Sequence, residues 1–154
     1  MILFIIGAAG VFSFMLSSLF VTQSVAGWIA DLDVNRWVLM AIINLFLLVA
    51  GFFLPPVAVI LMSAPILLPI ITTAGFDPIW FAVILTINME IGLITPPVGL
   101  NLYVINGIAP DISLKKILVG SMPFVGCMVL AIIILCAFPG LATWLPDYLM
   151  GPAL

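Results

Sequence analysis

Apolar residues along this chain come in long runs parted by short polar clusters. The first run, Met1 to about Ala26, exceeds the ~20 residues that a helix needs to cross hydrocarbon, which predicts a full span over residues 1–26. The second runs from Trp37 to Leu54, meets Pro55-Pro56, and resumes as Val57 to Thr73. The third covers Ile79 to Ala109. The fourth predicts a last span over 117–138, followed by an interfacial tail from Pro139 to Tyr148. Trp28 and Trp37 flank the polar cluster Asp31 to Arg36, and Trp144 and Tyr148 mark the tail, as aromatic anchors at membrane–water boundaries.

Two of these runs are interrupted. At Gly51 to Val57 no polar residue occupies the turn as a solvated loop would require, so residues 37–73 form either two short spans or, the favoured expectation, a re-entrant hairpin whose arms meet at Pro55-Pro56. Pro65 and Pro69 should kink the returning arm. The hydroxyls of Ser63, Thr72 and Thr73 either recover the freed carbonyls or back-bond to their own helix, the second being the expected use. Asp77-Pro78 then makes a turn at an interface. As one helix, 79–109 would be roughly 46 Å long and overshoot the hydrocarbon, so the break at Thr95-Pro96-Pro97 divides it into two half-helices.

Composition makes the membrane assignment firm. Hydrophobic residues are 66% of the chain and charged ones 6%, against roughly 25% in an ordinary soluble domain. All charged residues except Glu90 lie between or beyond the apolar runs. A net charge of −3 without Lys/Arg clusters gives no support for nucleic acid or an anionic lipid surface as a partner. Lys115 and Lys116 are the only basic pair, so the positive-inside rule places Pro110 to Lys116 in the cytoplasm. The Asp31 to Arg36 loop, the Asp77 turn and the C-terminus then fall outside, unless 79–109 is itself re-entrant, which would move the first two across. Met1 runs into apolar sequence with no positive n-region, which argues against a signal peptide and for a chain that starts mid-protein.

Chemistry concentrates at the breaks. Consecutive prolines remove two backbone donors, leaving carbonyls at Ile94 and Thr95 that no intrahelical N–H is expected to reach. Such a break persists only when buried in protein or lining a wet cavity, and transporters use broken helices to coordinate ions. Gly92 and Gly99 bracket the turn, and Asn88 and Asn101 flank it with amide oxygens for a cation or a brace. Glu90 is a cation or proton site, a carboxyl kept neutral by burial, or, the reading given most weight, a brace for freed backbone. The second break, Gly51 to Pro56, completes a pair of facing broken elements. Without histidine, and with Cys127 and Cys136 nine positions apart and roughly 13 Å from each other on one helix, no transition-metal site or disulfide is expected. No phosphate loop, His-Glu pair or Ser with a basic partner is present, which speaks against an enzyme.

The string Gly92-Leu-Ile-Thr-Pro-Pro-Val-Gly-Leu-Asn-Leu-Tyr103, with Ala64-Pro-Ile-Leu-Leu-Pro69 and the Gly75-Phe-Asp-Pro78 turn before it, closely resembles the C-terminal part of the large, DctM-type membrane subunit of TRAP (tripartite ATP-independent periplasmic) transporters. The likeness covers essentially the whole chain, 1–154. It implies an all-α integral membrane fold, the second inverted repeat of an elevator-type transporter, in the bacterial inner membrane. It also implies sodium-coupled import of small organic acids, with Na+ as coupling ion and no other cofactor. The implied partners are a periplasmic substrate-binding protein, a small membrane subunit, the N-terminal half of the large subunit and membrane lipid. Carried over, the hairpin tip is Gly51 to Pro56 (Gly51, Pro55, Pro56) and the broken helix is Gly92 to Asn101 (Gly92, Thr95, Pro96, Pro97, Gly99, Asn101), their carbonyls and Thr95 helping to form a sodium site beside the substrate. The family often has Asp-Pro at the tip where this chain has Pro55-Pro56, and its first repeat is absent here, so the chain alone is not expected to transport. The competing readings are a non-transporting membrane assembly or scaffold subunit with proline-kinked helices, and a small channel, which would need polar faces along several helices.

Overall fold

The computed structural model describes residues 2–21, 24, 27 and 35–151, and every regular element among them is helical. The helices are α1 (Ile2–Ser18), α2 (Arg36–Phe53), α3 (Pro56–Thr73), α4 (Pro78–Ile94), α5 (Leu100–Ile108), α6 (Leu114–Ala137) and α7 (Gly140–Met150). By length and composition α2, α3 and α6 can each cross a membrane. Of the first expected span, Ala26 lies outside the described residues, as do Trp28, Asp31 and Asp33.

The helix ends follow from local chemistry. Asn35 accepts the Trp37 N–H at 2.9 Å and starts α2. At the end of α3, Gly75 adopts φ 78°, which glycine tolerates, while its N–H reaches Thr72 O and the Phe76 N–H reaches Ile71 O. This is the double closure of a Schellman cap. Asp77 follows at once and accepts from Ile79 and Trp80 N–H at 2.7 and 2.9 Å, with Pro78 in the first turn where its missing donor costs nothing. A C-cap therefore abuts an N-cap, and the chain reverses sharply between α3 and α4. Within α3, Thr72 and Thr73 turn their hydroxyls onto the Leu68 and Pro69 carbonyls of their own helix. Ser63 Oγ is shut from solvent with no hydrogen-bond partner, so none of the three recovers the carbonyls that Pro65 and Pro69 orphan at Leu61 and Pro65.

α4 is the hub, touching every other helix except α1. Its Trp80, Phe81, Ile84, Leu85 and Met89 meet Met40, Ile43 and Leu47 of α2 and Leu67, Ile70 and Ile71 of α3 in one core. Contacts fix the directions. Trp37 pairs with Trp80, Asn44 with Asn88 and Gly51 with Gly92, so numbers rise together and α2 and α4 run parallel. Against α6 they run opposed: Trp80 Nε1 donates to Leu135 O at 2.7 Å, and Ser121 Oγ lies 3.4 Å from Ile94 O. The Leu135 carbonyl is in the last turn of α6, where no helical donor follows because residue 139 is proline, so the indole takes up an orphan. At this end Trp37, Phe76 and Trp80 form an aromatic cluster, and the Arg36 guanidinium lies 5.6 and 5.7 Å from the Trp37 and Phe76 rings.

Candidate functional site

Parallel packing brings both proline breaks to one end. α2 ends in Gly51-Phe-Phe-Leu-Pro-Pro56 and α4 in Gly92-Leu-Ile-Thr-Pro-Pro97, the same Gly-x-x-x-Pro-Pro pattern on neighbouring helices. In an α-helix a residue's N–H reaches the carbonyl four positions back. The carbonyls that lose their donors to proline are therefore Gly51 and Phe52 on one helix and Gly92 and Leu93 on the other. This corrects the expectation that placed the loss at Ile94 and Thr95. Those two carbonyls are freed because the helix stops, with Thr95 extended at φ −116° and ψ 140°.

The two glycines touch. A Cβ at Gly92 would lie 2.6 Å from the carbonyl carbon and oxygen of Gly51, so only glycine permits the approach. Around the α4 end, Thr95 Oγ1 donates to Ile91 O at 2.6 Å. The single proton of Ser121 Oγ is held by Leu118 O at 2.8 Å, which leaves Ile94 O with no more than the 3.4 Å contact. Gly99 is buried at φ 54° and starts α5, whose Leu102 N–H donates to Gly99 O at 2.8 Å. The Pro96–Pro97 peptide bond is cis. At the other end Leu54 N–H donates to Ala50 O, and the Pro55 carbonyl accepts from Ala58 and Val59, starting α3. Pro55, Pro96, Pro97 and Asn101 are exposed, whereas Pro56 and Thr95 are half-buried.

Two helix C-termini side by side carry the negative ends of two helix dipoles, with no basic residue in either last turn. Orphan carbonyls and that field together suit a cation. Asn88 has a different place from the one expected. It is 3% exposed and donates to Asn44 Oδ1, while Asn44 Nδ2 donates to Met40 O at 2.8 Å. The pair clips α2 to α4 below the glycine contact and faces an open groove of about 390 Å³ among α2, α4 and α6. Asn44 was missed in the sequence, where its one signal is an amide alone in an apolar run. Glu90 is exposed, and among the described residues its carboxylate makes no hydrogen bond or ion pair.

Comparison with known proteins identifies relatives of this chain. Residues 1–141 match the family described as the tripartite ATP-independent periplasmic transporter, DctM component. The C4-dicarboxylate TRAP transporter large permease protein DctM of Pseudomonas aeruginosa is 38% identical over 97% of this chain and 35% of its own length. The protein of the same name in Vibrio cholerae is 38% identical over 99% of this chain and 33% of its own. The sialic acid TRAP transporter large permease protein SiaM of Vibrio cholerae is 32% identical over 84% and 30%. The chain thus spans about a third of the length of the curated relatives it matches. Set beside its apolar helices and paired Gly-x-x-x-Pro-Pro ends, these matches show that the chain belongs to the DctM family of TRAP transporter large permeases, which are multi-pass membrane transporters and not enzymes.

Proposed function

We propose that this chain is the C-terminal repeat of a sodium-coupled permease that imports small organic acids across the bacterial inner membrane. A periplasmic binding protein delivers the solute, and a small membrane subunit and the rest of the large subunit complete the path. The observation that carries this reading is the side-by-side placement of Gly51 to Pro56 and Gly92 to Pro97 at the C-termini of two parallel helices. Carbonyls without helical donors, two negative dipole ends and the Thr95 hydroxyl make one wall of a sodium site. Na+ is the coupling ion on this account, and Gly99 and Asn101 hold the turn and its rim.

The depth of the breaks supports a re-entrant hairpin. α6 serves as a ruler: its start at Leu114 is about 10 Å above Ser121, the residue level with Ile94, and its end at Ala137 about 24 Å below. If α6 crosses the ~30 Å hydrocarbon, the Gly92 level and the α2 tip beside it both lie inside the membrane. A tip at that depth has α2 and α3 entering and leaving by the same face. The anionic solutes in the relatives' names, C4-dicarboxylate and sialic acid, fit a cation-coupled site in which sodium offsets the solute's charge.

The test is sodium-dependent uptake by the complete complex in proteoliposomes, wild type against Thr95→Val and Gly99→Leu. Both variants should lose sodium-driven uptake or need markedly more sodium for it. Unaltered sodium dependence in both would sink the site.

A further inference from the structure

The same ruler puts one ionisable side chain at mid-depth. Glu90 lies between Trp80, level with Leu135, and Ile94, level with Ser121, and so is level with the middle of the 24-residue α6, about 17 Å from either end. It does not point into the bundle. The buried residues of α4, from Trp80 to Gly92, occupy one half of its circumference. Ala82, Thr86 and Glu90 recur every fourth residue as an exposed stripe on the other half.

Resting on the transmembrane reading of α6, we propose that this stripe is a docking face for a transmembrane helix that carries a lysine or arginine level with Glu90. An ionised carboxylate in hydrocarbon costs several kcal/mol unless it is paired or hydrated. This chain cannot supply the partner. It has three cations and no histidine: Arg36 opens α2, and Lys115 and Lys116 sit in the first turn of α6, all at helix ends far from the Glu90 level. The counter-charge comes from outside these 154 residues. The neighbours suit a helix. Ala82 is small, and Thr86 turns its hydroxyl inward onto Ala82 O at 2.8 Å, which leaves a shallow track for close helix approach. They suit a bare ion less well, because the stripe offers a single carboxylate and no second free oxygen donor from a side chain.

The experiment uses the full permease with its subunits, with Cys127 and Cys136 replaced by serine. Single cysteines at Ala82, Thr86 and Glu90 should react with a membrane-impermeant thiol reagent about tenfold more slowly, or slower still, than one at the exposed Tyr148. Glu90→Lys should cut recovery of the assembled complex, and reversing one intramembrane lysine or arginine elsewhere to glutamate should restore it. Labelling of the stripe at the Tyr148 rate means a water-filled path and overturns the proposal. Slow labelling with no rescuing reversal means a lipid-facing stripe and overturns it as well. A Glu90→Gln variant that assembles normally but loses the sodium dependence of uptake assigns the carboxylate to an ion site, which also overturns it. Recovery and labelling need no transport, so failure of wild-type uptake would sink the transport reading and leave this one standing.

Discussion

A methyl group at Gly92 would sit 2.6 Å from the Gly51 carbonyl, whereas one at Gly51 would meet the movable Met89 Cε at 3.3 Å. The two glycines look equivalent in sequence, each four residues before a Pro-Pro pair, yet the contact is lopsided because only one of them faces rigid backbone. Gly92→Ala should therefore destabilise the permease by ~1–3 kcal/mol, the usual cost of overpacking, while Gly51→Ala stays close to wild type. Thermal unfolding of the purified protein in detergent measures both, and equal losses would mean that the helices do not meet as described. The glycines were legible in the sequence as marks of a break. Their contact was not, because it needs the register of α2 on α4, and that register is held by Asn44 and Asn88, of which only Asn88 stood out beside the break. Interhelical amide pairs of this kind contribute ~0.6 kcal/mol on average in membrane bundles, roughly a threefold preference, so the pair reinforces a register that the surrounding packing also sets.

At the level of elements, punctuation residues were the readable part. Asp77-Pro78, Gly75 and the two Pro-Pro pairs mark helix ends by removing donors or capping them, and the helices stop within a few residues of these marks. Tertiary hydrogen bonds left no such trace. Trp80 reads as an apolar residue after a capped turn, but its indole reaches 55 positions along the chain to the Leu135 carbonyl. Trp80→Phe keeps an aromatic ring against Phe76 but removes the donor and, at this fully buried site, the volume of the second ring. It should cost ~1–3 kcal/mol and, through the lost hydrogen bond, speed amide hydrogen exchange in the last turn of α6 relative to its middle, measured by mass spectrometry of the full permease. Unchanged exchange there would mean that solvent or lipid satisfies the carbonyl equally well. The hydroxyls teach the converse lesson: Thr72, Thr73 and Thr86 all serve carbonyls of their own helix, so polar residues in apolar runs need not mark a site.

On the scale of the whole molecule, hydropathy cannot separate a hairpin from two spans, because α2 and α3 have 18 residues each and pass the same length and composition tests either way. Relative depth can. α2 ends beside Gly92, and α4 passes its break with the nine residues of α5 still to come before α6 turns back, so the Leu54–Pro55 tip stops about 8 Å short of the level at which α6 begins. A full span would instead bring the tip to the height of Lys115 and Lys116. A spin label at Leu54 in the full permease should therefore collide more with oxygen, which partitions into lipid, than with a water-soluble nickel chelate, and a label at Lys115 should show the reverse. On the proposed hairpin, labels at Asn35 and Gly75 should share a depth on the opposite side from Lys115, where both arms would begin and end. If Leu54 and Lys115 give the same water-phase collision, α2 and α3 are two spans, the paired breaks sit at the membrane surface, and the case for a buried cation site at Gly51 to Pro56 fails with them.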